Sequence, residues 1–402
     1  MITVAHKPER GPLEWPLIVA VLGLMVMGFI FIASATLAKD YAAALPWHRQ
    51  DHFKQLIWYA GGAALAAIAC LTSYRRIARW AVIGYWLCVL LLVAVLIPGI
   101  GSTQGWGAMR WIDLGPFQFQ PSELAKLAFI LTLANFLSRP EPELRDWRPF
   151  VQAIGLAVLP FVLILKEPDL GSALVFLPVG LVMMFVAGVP WRRLVFFVGA
   201  VGLVVVALLV DILFAPPSWQ IKLEPYQRKR LLVYFGVDFA GPNATDAERQ
   251  RAQREYRDAS HNVQQALISV GSGGLTGKGW RQGTQNALGY LPRAVAHNDF
   301  IFSVIAEESG FVGSLTVIAL YTVVLFSGLR IASQARDRLG RLLAIGIVAL
   351  LFCHVFVNIG MNIRLMPVTG IPLPLLSYGG TSVLCSLVAM GLLLNVQLYR
   401  QS

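Results

Sequence analysis

Ten apolar segments constrain the fold of this chain more than any other feature of its sequence. A helix that crosses the roughly 30 Å hydrocarbon core of a bilayer needs about 20 residues, and the segments approach or exceed that length. They lie at residues 15–38, 53–72, 77–97, 122–138, 149–166, 169–187, 191–214, 300–329, 342–363 and 381–398. Hydrophobic residues make up 56% of the 402-residue chain and charged residues only 14%, which excludes an ordinary soluble fold.

The pattern of these segments predicts an all-α polytopic integral membrane protein. Backbone groups that face lipid must form their hydrogen bonds within the protein, and no alternating ten-residue strands of a membrane β-barrel occur. We therefore expect about ten transmembrane helices in a single transmembrane domain spanning 1–402. Spans one to seven fill 1–214, spans eight to ten fill 300–402, and a long loop covers 215–299.

Basic residues predict the orientation of the chain in the membrane. Alternate short connections are rich in Arg, as at 75–79 and 330–341, whereas the connections between them are sparse. Because basic residues collect on the cytoplasmic side, both termini are expected inside and the loop 215–299 outside. The net charge of +11 follows this membrane pattern and does not indicate a nucleic-acid partner. Four cysteines within apolar segments, without paired spacing, indicate neither disulfides nor a thiolate metal site.

Charged residues within or at the ends of spans are costly, so each is a candidate functional residue. Glu123 and Lys126, in QPSELAK, lie three residues apart and can pair on one helix face, with a structural ion pair as the alternative. Asp299 opens span eight in HNDFIFSVIAEES, and Glu307 and Glu308 follow two turns deeper. This density of titratable groups favours catalysis or proton handling over a structural role.

Two further motifs place charges near the predicted outer surface. GAMRWIDLGPFQFQ is too polar for a span, so we expect an interfacial or re-entrant segment whose Arg110 meets an anion. An aromatic belt with an arginine reaching to the interface is the alternative. In KEPDLG, Lys166 and Asp169 bracket a proline-containing connection, and Asp169 is equally suited to cap the next helix.

Two glycine-rich stretches complete the candidate site. GSGGLTGKG (271–279) does not match the phosphate-loop pattern. Ser272 stands where the pattern requires Gly, and Gly279 stands where it requires Ser or Thr. Its backbone N–H groups and Lys278 are available to an anion, or the stretch is a flexible entry to span eight. PVTGIPLPLLSYGG cannot be helical, so we expect broken backbone packed against protein. Within it, Ser377 is a candidate substrate-binding residue.

Six motifs together resemble the SEDS (shape, elongation, division, sporulation) family of bacterial cell-wall polymerases. They are GAMRWIDLG, QPSELAK, KEPDLGS, GSGGLTGKGW, HNDFIFSVIAEE and GMNIRLMPVTGIPLPLLSYGGTS, in the family's order from span three to span ten. The sequence GSGGLTGKGWRQGTQ resembles the elongation members more than the division members. Three features depart from the family pattern. Asn298 replaces a common Thr, and Arg293 replaces a usual Glu in a segment that is slightly long. The charged stretch 241–258 is longer and more Arg-rich than the connection expected for the family.

The resemblance implies a peptidoglycan glycosyltransferase that polymerises lipid II, a disaccharide-pentapeptide on undecaprenyl pyrophosphate. It further implies β-1,4-linked glycan strands made during cell elongation and rod-shape maintenance. The expected location is the bacterial cytoplasmic (inner) membrane, with the active site facing outward, and the expected partner is a class B penicillin-binding protein, a transpeptidase of the elongation machinery. The family's essential carboxylate falls on Asp299, and its catalytic charged pair falls on Glu123 and Lys126. The resemblance also implies that Lys166 and Asp169 lie beside the same cavity.

The residue types suit this chemistry, in which a sugar hydroxyl attacks an anomeric carbon while a lipid pyrophosphate leaves. Asp299 is the expected general base, and Arg110, Lys126, Lys166 and Lys278 are candidate pyrophosphate ligands. A divalent cation is compatible with the reaction, but no metal-ligand spacing indicates one. A lipid II flippase, a non-catalytic scaffold and a division-specific polymerase are the alternatives.

Overall fold

The computed structural model describes residues 12–37, 46–102, 109–115, 117–214, 225–237, 239, 245–291 and 296–399. Every one of the ten predicted spans coincides with a helix. These helices are α1 (Trp15–Leu37), α2 (Asp51–Leu71), α4 (Ala81–Val95), α5 (Pro121–Leu137), α7 (Trp147–Lys166), α8 (Leu170–Val186), α9 (Trp191–Phe214), α13 (Ile301–Gln334), α14 (Arg338–Asn362) and α15 (Gly380–Leu398). Shorter helices lie between them, namely α3 (Tyr74–Arg79), α6 (Glu141–Leu144), α10 (Pro225–Phe235), α11 (Asp246–Ser272) and α12 (Thr284–Ala287).

Seven helices within the described residues are long and apolar enough to cross a membrane, by length and composition. They are α1, α2, α7, α9, α13, α14 and α15, while α4 and α8 are shorter apolar helices. The all-helical membrane class is therefore confirmed. The number of ten spans, the cytoplasmic termini and the division into 1–214, 215–299 and 300–402 stay predictions.

The helices differ sharply in how much of their surface they bury. Most side chains of α5 are buried, the polar ones of its first turns included, as expected for a helix at the centre of a bundle. It packs against α4, α14 and α8, while α15 packs on α2 and α13 packs on α14 and α1. In contrast, α9 packs mainly against α8 and exposes large apolar side chains such as Phe196 and Leu203.

The segment between α9 and α13 is more ordered than its polar sequence suggests. Residues 246–258, read from the sequence as a charged connection, form the first half of α11. The second half of α11 packs against α13 and α14, and α10 packs against α11. The start of the 241–258 stretch and Arg293 lie outside the described residues.

A small antiparallel sheet is the one β-sheet among the described residues. It consists of β1 (Gly101–Ser102), β2 (Trp111–Asp113) and β3 (Gln118–Phe119), in the order β1-β2-β3. Ile112 pairs with Gly101 on one side and with Phe119 on the other. The aromatic-rich segment that the sequence marked as interfacial or re-entrant is therefore partly extended and leads directly into α5.

Helix α13 is interrupted at Gly310, whose φ of 66° and ψ of −157° are not helical. The glycine-rich segment 273–279 supplies hydrogen bonds at this break. Its Lys278 and Gly279 N–H groups donate to the Glu307 and Glu308 carbonyls at 3.0 and 2.9 Å. The Phe311 N–H in turn donates to the Gly274 carbonyl at 2.9 Å. The segment thus packs into a helix break through its backbone, which accounts for glycines that match no phosphate-binding motif.

Candidate active site

The turn that carries Asp299 is held through its backbone. Two fully buried amides donate to the Asp299 carbonyl oxygen, Asn358 Nδ2 at 3.0 Å and Asn362 Nδ2 at 3.2 Å. The Ser377 hydroxyl donates to the Asn298 carbonyl at 2.6 Å and accepts from the Leu373 N–H at 2.8 Å. Because these bonds fix the main chain, the Asp299 side chain has a defined position beside the adjoining cavity.

A cavity of about 1060 Å³ opens beside Asp299. It lies where α2, α5, α13 and α15 begin and where α14 ends, so one end of the bundle surrounds it. Helices α10 and α11 and the β2–β3 segment complete its described lining. Aromatic side chains in this lining give the cavity apolar faces beside its charged groups. These aromatic residues are Trp58, Trp111, Phe117, Tyr234, Phe300 and Tyr378.

Basic side chains outnumber acidic ones in the described lining of this cavity. The acidic residues are Asp113, Asp258 and Asp299. The basic residues are Lys54, Arg110, Lys229, Arg230 and Arg364. An excess of positive charge in a partly enclosed space favours an anionic ligand, and arginines suit phosphate groups because their planar donors match phosphate oxygens.

Burial and neighbouring charges act in opposite directions on Asp299. Burial raises the pKa of its carboxyl to about 6, Arg230 and Arg110 oppose the rise, and Asp169 adds to it. A Cβ atom placed on Gly370 would lie 3.4 Å from Asp299 Oδ2 and 4.0 Å from Arg230 Nη1. Both distances are ordinary van der Waals contacts, so glycine is favoured here by its φ of 77° and not by lack of space. A carboxyl with this pKa is mostly ionised at neutral pH and is more basic than an ordinary aspartate.

Arg110 is fixed by the connection between α7 and α8. Its Nη2 donates to the Pro168 carbonyl, and its Nη1 lies 3.9 Å from Asp169 Oδ1. Asp169 also caps α8 by accepting from the Ser172 N–H at 3.2 Å, and it accepts from Gln120 Nε2 at 3.3 Å. Asp169 is therefore the helix cap that the sequence offered, and it is also a partner of Arg110, which lines the cavity.

Glu167 is a second acid beside this arginine. Burial raises its pKa to about 9, Asp169 adds to the rise and Arg110 opposes it. The sequence reading did not single out Glu167, since a glutamate next to a proline at a span end carries no distinctive signal.

Glu123 and Lys126 form a buried ion pair inside the bundle. Lys126 Nζ lies 2.7 Å from Glu123 Oε1 and 3.0 Å from His354 Nε2, and both members of the pair are less than 4% exposed. Neither belongs to the described lining of the cavity. The pair connects α5 to α14, and His354 lies one turn before Asn358, which holds the Asp299 carbonyl.

Three predicted ligands take other positions in the structure. Lys166 is exposed at the end of α7, outside the described lining of the cavity. Ser377 holds the Asp299 turn through its hydrogen bond to the Asn298 carbonyl. Lys278 Nζ binds Glu307 Oε1 at 2.6 Å and the hydroxyls of Ser272 and Thr284, because the glycine-rich segment directs it to the α13 break. The structure therefore brings Arg110 and Asp169 near Asp299 but not Lys126, Lys166 or Lys278.

Several residues of the site were missed by the sequence reading. His354, Asn358 and Asn362 recur at a spacing of four, which places them on one face of α14. Polar residues at helical spacing inside an apolar span are costly, so this signal was available in the sequence. Arg230 was not recoverable in this way, because its place near Asp299 depends on how α10 packs against the segment after α14.

The helices and the cavity define an integral membrane protein with a partly buried aspartate beside a basic, aromatic-lined cavity at one end of its bundle. A family model named FTSW_RODA_SPOVE and described as "Cell cycle protein" matches residues 15–402. The chain therefore belongs to this family, and the predicted SEDS membership is confirmed.

Curated relatives agree with this assignment. "Peptidoglycan glycosyltransferase MrdB" of Escherichia coli (strain K12) is 37% identical over 344 residues, covering 85% of this chain and 84% of the relative. "Stage V sporulation protein E" of Bacillus subtilis (strain 168) is 34% identical over 388 residues, covering 95% and 96%. "Peptidoglycan glycosyltransferase RodA" of Treponema pallidum (strain Nichols) is 31% identical over 437 aligned positions, covering 95% and 97%.

Two solved structures share the fold. One, described as "Structural coordination of polymerization and crosslinking by a peptidoglycan synthase complex", gives a TM-score of 0.72 at 34% identity, covering 96% of this chain and 97% of that chain. Rod shape determining protein RodA of Thermus thermophilus gives 0.65 at 31% identity, covering 96% of each chain. The predicted glycosyltransferase class is confirmed by these relatives, and the chain is an integral protein of a bacterial cell membrane.

Proposed function

We propose that this chain polymerises lipid II into β-1,4-linked glycan strands, with Asp299 as the general base. The observation that carries the proposal is the Asp299 carboxylate, raised in pKa and fixed beside a basic cavity of about 1060 Å³ at the end of the bundle. Lipid II presents a sugar and a pyrophosphate at the membrane surface, and such a cavity has groups for both.

The reaction joins two sugars and releases a lipid pyrophosphate. The 4-hydroxyl oxygen of the acceptor attacks the anomeric carbon of the donor, and the bond from that carbon to the pyrophosphate oxygen breaks. Asp299 takes the hydroxyl proton, while the leaving pyrophosphate keeps the bonding electron pair. One displacement inverts the anomeric carbon, so an α-linked donor gives a β-linked product. Arg110 and Arg230, the cations whose charge acts on Asp299, stabilise the departing negative charge.

Glu123 and Lys126 act in this proposal as positioning residues. Their buried pair links α5 to His354 on α14, and the next turn of α14 presents Asn358 to the Asp299 carbonyl. A shift of α14 would move this carbonyl and change the distance between the base and the acceptor hydroxyl. Catalysis is sensitive to such displacements, since an ångström of misplacement can cost about 100-fold in rate.

The partner and the membrane side belong to the same proposal. The solved relative described as a peptidoglycan synthase complex, at 34% identity, supports a class B penicillin-binding protein as partner. The basic connections at the opposite end of the bundle support an outward-facing cavity. Elongation is favoured over division by the sequence motifs, although relatives named FtsW are 33–34% identical to this chain.

The test is glycan polymerisation from lipid II by the purified protein with its candidate partner. We expect Asp299→Asn to lose at least about 100-fold in rate, because a positioned general base contributes roughly that much or more. Asp258→Asn is the matched control, since it removes a carboxylate from the same lining without touching the base. The two variants must fold and bind the partner alike.

Two results would contradict the proposal. Polymer from Asp299→Asn at the wild-type rate would exclude Asp299 as the base. Lipid II translocation in proteoliposomes without polymer, with or without divalent cations, would instead establish a flippase. Restoration of rod shape in a strain depleted of its elongation polymerase, but not of division in one depleted of its division polymerase, would identify the elongation pathway.

A further inference from the structure

Arg364 occupies a backbone position that normally favours glycine. It follows the last residues of α14, where the Leu365 N–H donates to the Gly360 carbonyl at 2.7 Å and the Arg364 N–H to the Met361 carbonyl at 3.3 Å. These two bonds form a Schellman motif, in which the residue after the cap adopts the left-handed conformation. Arg364 has a φ of 60°, which is strained for a residue with a Cβ atom.

The same residue lines the cavity and has an exposed side chain. The other basic residues of the described lining are each engaged. Lys54 pairs with Asp51, Lys229 with Glu255, Arg110 binds the Pro168 carbonyl and Arg230 the Val368 carbonyl. Within the described part of the chain, the Arg364 guanidinium has no hydrogen bond or ion pair, so its donors remain available to a ligand.

The Schellman motif requires the left-handed conformation but not an arginine, since glycine adopts it without strain. A strained arginine with an uncommitted guanidinium at a cavity rim therefore suggests a binding function. We propose that Arg364 binds the diphosphate of a polyprenyl-linked sugar at the rim of the cavity; this rests on the proposed function. The diphosphate is favoured over a neutral sugar because guanidinium groups bind phosphate oxygens through two parallel hydrogen bonds. Arg364 acts in affinity rather than in proton transfer.

Arg281 provides a matched control for the backbone strain. It has a φ of 62°, lies outside the described lining of the cavity, and places its guanidinium over the Trp280 ring. Arg364→Gly and Arg281→Gly therefore relieve similar backbone strain, and each removes one positive charge. Only Arg364→Gly changes the lining of the cavity. We expect both variants to raise Tm slightly, so that a loss of binding in Arg364→Gly cannot be attributed to unfolding.

The experiment measures binding of undecaprenyl diphosphate to the full-length protein in phosphatidylcholine nanodiscs, and in parallel the steady-state kinetics with lipid II. We expect Arg364→Gly to raise Kd and KM about tenfold with kcat changed less than about twofold, as for the loss of one charged hydrogen bond. Arg364→Lys should recover part of the affinity, and Arg281→Gly should match wild type.

A second titration with phosphatidylglycerol distinguishes the lipid-linked diphosphate from an ordinary phospholipid headgroup. The proposal would be overturned if Arg364→Gly kept the wild-type affinity for the diphosphate, or if Arg281→Gly lost as much of that affinity. It would also be overturned if Arg364→Gly lost affinity only for phosphatidylglycerol, or if the wild-type protein did not bind the diphosphate. Arg364-dependent diphosphate binding by a wild type that makes no polymer would support this site while rejecting the polymerase assignment.

Discussion

The Asp299 carboxyl experiences opposing effects from its surroundings. Burial disfavours its charged form, whereas Arg230 and Arg110 favour that form. The resulting pKa of about 6 lies between that of an exposed aspartate and neutrality. This balance depends on Arg230, a residue more than 60 positions away in the sequence, so the chemical character of the base is a property of the folded chain.

The polymerisation rate should therefore depend on the protonation of Asp299. Below about pH 6 the carboxyl is protonated and cannot accept the acceptor's proton, so we expect the rate to rise with pH through a midpoint near 6. Arg230→Met removes a charge that lowers this pKa, so the midpoint should move to higher pH. Initial rates across pH 5 to about 8 measure this shift. An unmoved midpoint in Arg230→Met, or an equal shift in Asp258→Asn, would argue against direct coupling.

At the scale of the helices, Lys126 of the buried Glu123–Lys126 pair connects α5 to His354 of α14. Removing one partner of a buried pair leaves an uncompensated charge, whereas replacing both by apolar residues is often tolerated. The pair is therefore suited to test whether these residues act through chemistry or through helix placement.

We expect Lys126→Met to destabilise the protein by about 3–5 kcal/mol and to lose polymerisation. The double variant Glu123→Leu with Lys126→Met should regain most of the stability and a measurable part of the rate, because α5 and α14 can again pack closely. Thermal unfolding in detergent and the polymerisation assay provide the two measurements. A double variant as stable as wild type but inactive would show that the charges themselves take part in the reaction.

The contact between the glycine-rich segment and the α13 break leads to a separate prediction. A Cβ on Gly273 would lie 1.9 Å from the Ala306 carbonyl oxygen, whereas a Cβ on Gly271 would meet nothing within 4 Å. Gly273→Ala should therefore reduce the free energy of unfolding by about 1–3 kcal/mol, as is typical of an overpacked site, and so lower Tm. Gly271→Ala, two residues away, should be neutral or slightly stabilising in the same melting experiment. Equal Tm values for both variants would mean that the segment does not pack tightly into the break.

At the scale of the whole molecule, apolar runs predicted every long apolar helix, because each span must be apolar whatever its neighbours are. Asp299 and Asp169 were candidates because charges at span ends are costly, and Arg110 was a candidate because its segment is too polar for a span. Lys278 was misplaced, since the sequence does not show that its segment would pack into a helix break. Helix α11 was predicted to be part of a loop because its first half is rich in charged residues and contains no apolar run.

The membrane orientation is a further whole-molecule prediction. In intact cells, a cysteine at Gln253 on α11 should react with an impermeant maleimide, because that part of the chain is expected outside. A cysteine at Ser333, near the end of α13, should react only after the cytoplasmic membrane is permeabilised. Both positions are exposed in the structure, so access to the reagent is limited by the bilayer and not by packing. The opposite labelling pattern would invert the topology.

The sparse packing of α9 makes bilayer thickness a variable of the active site. Its 24 residues extend about 36 Å, more than the roughly 30 Å of an average hydrocarbon core. A helix longer than the bilayer tilts, and here few neighbours oppose the tilt. Because the chain leads from α9 to α10, which carries Arg230, acyl chains of different length should alter the polymerisation rate in reconstituted vesicles. Lipid composition would then adjust cell-wall synthesis without any change in the protein.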